Sequence, residues 1–313
     1  MTRVLITGAT GFLGRHLTRA LCATDYEVVA IIRSASPGLQ ELEGKLKTII
    51  LPEPSLQEIT STLKDSFDVV CHLAAFIPET HLDPANARLC IETNVMLTLH
   101  LLQASLENGV KRFVYFSAGN TYLQDLDNPA KETEALYPSR ISPFYLGSKM
   151  LAEIFVEHYK QQYSLDAISL RMSSPYGIGM PAKSAVMNFI HRTLQGLPLQ
   201  VQGGGRHKTD FVFVRDVIDV TMHALHSGPP GVYNVGSGVA KSILELAQAV
   251  SEVFERKVPI EIVPTSSAVK GGFRPLDIEK ARTTWKWSPR SLQDGLRVMR
   301  IEMERDGDKG VKP

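Results

Sequence analysis

Apolar and polar positions follow two rhythms through the first half of the chain. Near-continuous apolar runs at residues 4–7, 27–32, 68–73, 112–117 and 166–171 predict buried strands. In the stretches 13–23, 56–63, about 87–107 and 145–163, apolar residues recur every three or four places and predict helices. Strands that alternate with helices point to a parallel sheet wrapped by helices, and runs without polar relief suit a sheet covered on both faces.

The rhythm breaks after Pro175. Gly177, Gly179, Pro181, Pro198 and the triplet Gly203–Gly205 mark loops between shorter elements, so a second lobe is expected to begin there. Residues 233–235 are expected to return to the main sheet, the tail from 242 onward to be mostly helix, and 306–313 to fray. At 313 residues the chain stands where single cores begin to split. The expected division is a main domain over 1–174, completed by about 211–240, and a smaller lobe made of 175–210 and 241–313.

Charge narrows the choice of partner. Lys and Arg number 34 against 33 Asp and Glu, which leaves no basic stripe for nucleic acid or anionic lipid. A small molecule is expected instead, with neither nucleic acid nor membrane as partner. Cys22, Cys71 and Cys90 lack the paired spacing of zinc ribbons or redox dithiols. No apolar run approaches the roughly 20 residues of a membrane helix, and the first strand begins almost at Met1. Together these features predict a cytoplasmic protein. His223 and His226 share a helix face without a third ligand, so no metal site is expected. The stretch 203–209 ends in Lys208 and Thr209 like a phosphate loop, but His207 takes the place of the glycine such a loop needs.

Gly8, Gly11 and Gly14 stand at equal spacing between the first strand and the first helix. A tight turn there lets phosphate oxygens approach backbone N–H groups that a β-carbon would screen, and the helix that follows offers its positive end to a pyrophosphate. The pattern is a dinucleotide-binding turn. A carboxylate at the end of the second strand would bond the ribose hydroxyl of NAD; Ile32 holds that position and Arg33 follows, which favours NADP, with NAD as the alternative.

Tyr145 and Lys149 lie four residues apart, on one face of a predicted helix. A phenol with its ordinary pKa near 10 is too weak an acid for proton transfer at neutral pH. A nearby ammonium and a positive nicotinamide ring are expected to lower that value, so that Tyr145 exchanges a proton as hydride moves. His72, inside a buried strand, reads as a hydrogen-bonded core histidine.

In order along the chain, these features resemble the extended short-chain dehydrogenase/reductases, which include NAD(P)-dependent nucleotide-sugar epimerases, dehydratases and reductases. The likeness rests on the glycine turn, the segment from Val70 to Ala75, Asn94, Phe116-Ser117, Tyr145 and Lys149, and Leu170-Arg171 before Pro175-Tyr176-Gly177. It continues through residues 210–217, 232–236 and Trp287-Ser288-Pro289. The fold this implies is α/β, a doubly wound parallel-sheet Rossmann domain with a smaller mixed α/β substrate lobe.

The implied cofactor bed is Gly8, Thr10, Gly11, Phe12, Leu13, Arg33, Leu73, Ala74, Ala75, Asn94, Tyr145 and Lys149, with Met172 and Ser173 facing the nicotinamide. Phe76, Ser117, Asn120, Ser174 and Arg206 are expected beside the substrate, and Arg274 is expected to grip a diphosphate. The implied activity is a nucleotide-sugar epimerase or 4-ketoreductase. Reduction of a non-sugar carbonyl is the first alternative, and a cofactor-binding regulator without turnover the second.

Three positions depart from the family pattern. Ala118 stands where a serine or threonine usually bonds the substrate oxygen, so the third catalytic role falls to Ser117, to Thr121, or to no residue. Asn120 replaces the acidic base of the 4,6-dehydratases, and Thr209 replaces an arginine that commonly touches the nucleotide's phosphates. A homodimer is also implied, pairing the helices around 94–107 and 145–163, with Leu97, Leu101, Ile154 and Phe155 either at that contact or in the ordinary core.

Overall fold

The computed structural model describes residues 1–42, 44–124, 128–137, 141–264 and 272–307. The first strands are β1 (Arg3–Thr7), β2 (Glu27–Ile32), β3 (Leu46–Ile50), β4 (Val69–His72), β5 (Arg112–Ala118) and β6 (Ala167–Met172). Shorter strands follow: β7 (Ser174–Tyr176), β8 (Leu199–Gln202), β9 (Lys208–Phe213), β10 (Gly231–Val235), β11 (Ala240–Ser242) and β12 (Ile260–Val263). Between them run α1 (Phe12–Cys22), α2 (Leu56–Leu63), α3 (Asn86–Glu107), α4 (Pro143–Tyr163), α5 (Ala185–Leu194), α6 (Val214–His226), α7 (Ile243–Val253), α8 (Glu279–Trp285) and α9 (Leu292–Gly307).

The main sheet has the order β10-β6-β5-β4-β1-β2-β3, with every pairing parallel. Strand order reverses between β1 and β4, and a crevice opens at the carboxyl ends of strands at such a switch point. This is the doubly wound fold. The strand β3 was absent from the expected set because it forms the sheet's edge: Lys47, Thr48 and Ile50 are exposed, so no continuous apolar run announces it.

Local chemistry sets the helix ends. Ser55 and Glu58 form a capping box at the start of α2, and Ser242 and Glu245 do the same for α7. Pro143 opens α4, whose last turn closes on Ser164 in the left-handed region at φ 54°. By contrast α1 starts from Gly11 with no side-chain cap, which leaves its first N–H groups for a ligand.

Helix α3 contains a π turn over Ile91–Met96. By length and composition it matches a bilayer-spanning helix, contrary to the expectation that no apolar stretch comes near that size. Its apolarity serves the core: Leu101, Leu102 and Ala104 are fully buried with Ala152 and Tyr115 against one face of the sheet. On the other face α1, α6 and α8 pack through Leu17, Val217 and Trp285.

The lobe holds a small sheet in which β9 runs parallel to β7 and antiparallel to β11, with a parallel pair β8-β12 beside it. Its own cluster gathers Phe211, Phe213, Leu246 and Leu296. The clusters divide differently from the expected boundaries: Phe211 and Phe213 pack in the lobe, whereas Ala281, Trp285 and Trp287 pack against the main sheet. Leu97, Leu101 and Phe155 belong to the core beneath α3 and α4, while Ile154 is 58% exposed.

Candidate active site

A cavity of about 780 Å³ lies over the glycine turn, between the strand ends and α3 and α4. Two of its floor positions admit no side chain. Gly8 sits at φ +75°, and a β-carbon there would lie 2.6 Å from the Ala74 nitrogen. On Gly14 a β-carbon would stand 1.9 Å from the Gly8 carbonyl oxygen, so α1 seats directly on the turn. Gly8, Thr10, Gly11, Phe12 and Leu13 all line this floor. A backbone cradle at an uncapped helix start fits the pyrophosphate of a dinucleotide.

A buried hydrogen-bond chain holds the wall opposite. The Thr7 hydroxyl accepts the Ala74 N–H at 3.3 Å and lies 2.7 Å from His72 Nδ1. His72 Nε2 lies 2.9 Å from the Thr98 hydroxyl, which itself donates to the Asn94 carbonyl at 2.7 Å. With the Thr98 proton so committed, the assignment that satisfies every partner has Nε2 donating and Nδ1 accepting from Thr7. Burial holds this histidine neutral, its pKa drawn down to about 3. Leu73, Ala74 and Ala75 line the cavity as a result.

Asn94 is not in the cavity wall. Its Oδ1 accepts the Phe76 N–H at 2.6 Å, and its Nδ2 donates to the Phe76 carbonyl at 3.0 Å and to the Ser148 hydroxyl at 2.8 Å. The expected cofactor contact is therefore corrected to a brace between the β4 loop and α4. Phe76, whose backbone it holds, also lies outside the wall; Ile77 takes the adjoining place.

Tyr145 and Lys149 both face the cavity from α4. Lys149 is buried, with Nζ 4.2 Å from the centroid of the Tyr115 ring. Burial draws its pKa down to about 7, against a smaller opposing pull from Glu153. Burial pushes the Tyr145 phenol up to about 12, with the Cys90 thiol adding to the rise. The expected lowering of the phenol by Lys149 is thus not produced by the protein's own groups: desolvation dominates, and the ammonium is itself close to losing its charge.

Ser117 and Ser173 line the same wall from the ends of β5 and β6, each with a buried hydroxyl that has no partner among the described residues. Met172, Ala118 and Asn120 line the cavity as well. Thr121 is otherwise engaged, because its hydroxyl donates to the Ala118 carbonyl at 2.7 Å. Arg33, exposed at the end of β2, lines the far end.

Besides Phe76, three expected substrate contacts lie outside the wall. The Ser174 hydroxyl pairs with that of Thr209 at 2.7 Å, away from the wall, and Arg206 is exposed on a loop outside it. Arg274 is buried and committed: it meets both oxygens of Glu134, at 2.7 and 3.1 Å, and the carbonyls of Leu123 and Asn128 at 3.1 and 3.0 Å. Such a guanidinium has no free edge for a diphosphate. The sequence reading missed Glu53, just past β3, and Arg88, Glu92, Thr93, Met96 and His100 on α3, all of which line the cavity. An unrecognised edge strand hid the first, and helical periodicity alone does not tell which face of α3 meets the crevice. Among the described residues no three His, Cys, Asp or Glu side chains gather into a metal site.

Residues 4–236 match the model of the NAD dependent epimerase/dehydratase family. The chain is 28% identical over 302 residues to UDP-glucuronic acid decarboxylase 1 of Arabidopsis thaliana, covering 94% of this chain and 68% of that one. It is 27% identical over 305 residues to dTDP-4-dehydro-6-deoxy-D-allose reductase of Streptomyces bikiniensis, covering 94% and 93%. Among solved structures, UDP-glucose 4-epimerase of Thermotoga maritima with UDP-glucose superposes with a TM-score of 0.86 at 25% identity, covering 98% of this chain and 99% of that one. UDP-glucuronic acid 4-epimerase of Bacillus cereus, in complex with UDP-glucuronic acid and NAD, superposes at 0.82 with 26% identity, covering 97% and 99%.

Proposed function

This chain belongs to the NAD dependent epimerase/dehydratase family, and we propose that it is an NAD(P)-dependent nucleotide-sugar epimerase or 4-ketoreductase in which Tyr145 moves the proton. The observation that carries the reading is that Tyr145 and Lys149 stand in the wall of the same cavity whose floor is the glycine cradle. The bound nicotinamide would supply or accept the hydride. The phenol of Tyr145 gives a proton to the substrate oxygen or takes one from it. Lys149 presents an ammonium that makes no hydrogen bond among the described residues, free to hold a ribose hydroxyl and to favour the phenolate.

Burial keeps the phenol protonated at neutral pH in the cofactor-free protein, the state that donates to a ketone. The Ser117 hydroxyl, buried in the wall without a partner among the described residues, would bond the substrate oxygen in the role that Ala118 does not fill. Asn120 would contact the sugar. NADP is the proposed cofactor, supported by Arg33 at the far end of the cavity, with NAD as the alternative. Exposed Ile91 on α3 and Leu151 and Ile154 on α4, all outside the cavity wall, support a homodimer through those helices.

One observation favours a second reading, reduction of a carbonyl that carries no nucleotide: the guanidinium expected to grip the diphosphate is spent on Glu134. A panel of nucleotide-sugars and plain ketones, the sugars offered with NAD+ and NADP+ and every carbonyl with NADH and NADPH, separates the two. Interconversion of sugars without net change in nicotinamide identifies an epimerase. Stoichiometric loss of reduced nicotinamide identifies a reductase, and equal rates on plain ketones would remove the nucleotide-sugar assignment.

A further inference from the structure

Glu153 links the Tyr145-Lys149 pair to the strand that ends at the cavity. It lies one helical turn past Lys149 on α4, buried, and its oxygens accept Arg171 Nε at 2.9 and 3.1 Å and Nη2 at 2.5 Å. Arg171, buried on β6, also donates Nη1 to the Tyr122 hydroxyl at 2.6 Å, and that hydroxyl donates to Asn234 on β10 at 2.8 Å. Met172 and Ser173, the residues after Arg171, belong to the cavity wall. A bidentate ion pair thus fixes the helix carrying Lys149 against the strand end facing the reacting atoms.

We propose that Glu153 is a positioning residue for Lys149: its carboxylate, shared with Arg171, keeps the neighbouring ammonium charged in a wall where burial favours the neutral amine. Arg171 sets how much of that carboxylate's field Lys149 receives. The other groups packed around Lys149 leave this task to Glu153. Tyr115 faces it from β5 with its ring. His72 on β4 is neutral, Tyr145 one turn back is a protonated phenol, and burial raises the Cys90 thiol on α3. Among the described residues Glu153 is the one charged group that opposes desolvation at Lys149, alongside the face of the Tyr115 ring.

The proposal rests on the reading of Tyr145 and Lys149 as the proton-transfer pair, so its first test uses neither cofactor nor substrate. The protonation midpoint of Lys149 is followed by NMR of 13Cε-labelled lysine in the cofactor-free protein, the signal being assigned by its loss in Lys149→Arg. Glu153→Gln is expected to lower the midpoint by about one pH unit, a tenfold fall in the charged-to-neutral ratio, and Arg171→Gln to raise it. Because Glu153→Gln strands a buried guanidinium, the double replacement Glu153→Met with Arg171→Met serves as a second probe and is expected to lower the midpoint as well. An unmoved midpoint in Glu153→Gln or in the double variant, or a lowered one in Arg171→Gln, overturns the proposal. In turnover the alkaline limb of ketone reduction should move in the same directions as the midpoint. A limb that stays in place while the midpoint moves overturns the proton-pair reading instead, which keeps the two failures apart.

Discussion

Arg274 and Glu134 form a two-point ion pair across 140 positions of sequence, with the arginine side chain only 1% exposed. The pair ties the segment after residue 272 to the loop beyond Tyr122, and it occupies the arginine that was expected to grip a diphosphate. Arg274→Ala is therefore expected to cost about 3 kcal/mol of folding stability, since it leaves a half-buried carboxylate and two carbonyls without their partner. Urea unfolding measures that loss. A large rise in KM for a nucleotide-sugar at unchanged stability would restore the phosphate-binding role.

Gly14 touches the glycine turn so closely that no side chain fits between them. Gly14→Ala should displace α1 from Gly8 and weaken NADPH binding by roughly a hundredfold, about 3 kcal/mol, in the fraction that folds. Calorimetric titration with the cofactor reads this directly, and wild-type affinity in the variant would place the dinucleotide elsewhere.

Tyr145→Phe removes the proton and leaves the ring. Turnover is expected to fall by about 10²–10⁴ while cofactor affinity holds. Ser117→Ala should cost less, roughly tenfold, as the loss of one orienting hydrogen bond. An unchanged rate in the tyrosine variant means that the donor is another group.

Arg33→Ala is expected to weaken NADPH by about tenfold to a hundredfold and to leave NADH almost unchanged, because only the former carries a ribose 2′-phosphate for the guanidinium. Equal losses for both cofactors would reduce Arg33 to general attraction.

Burial draws the pKa of Lys149 from 10.5 down to about 7 in the folded chain. The unfolded chain then binds one proton more than the folded chain between those values, so the lysine makes stability rise with pH across that window. Lys149→Met should remove the penalty. Without cofactor, that variant should exceed wild type by on the order of 4 kcal/mol near about pH 6, with the gap closing toward about pH 10. His72 works in the same direction in a lower window, from about 3 to 6.5, and adds acid sensitivity. Urea unfolding at several pH values tests this, and a gap independent of pH contradicts it.

The alternation of apolar runs and helical stretches made the doubly wound sheet legible, because a strand buried on both faces must be apolar throughout, as Val69 to His72 largely is. The glycine turn was legible for a similar reason: only a residue without a β-carbon fits against Ala74 or beneath α1. In the same way, the Tyr145 and Lys149 spacing announced a shared helix face before any contact was known.

Other outcomes depended on what came to lie nearby in three dimensions. A polar residue's sequence position carries no record of its eventual partner, so Asn94 became a brace for Phe76 and Arg274 the partner of Glu134. The same holds for ionisation. Four residues of spacing place an ammonium near a phenol, but the amount of water withdrawn from each decides which form it takes, and here packing against Tyr115 and the sheet outweighs their mutual attraction. Residue types and periodicity are local and determined the scaffold and the chemistry on offer. Desolvation and partner choice are sums over the whole fold, and only the folded chain set them.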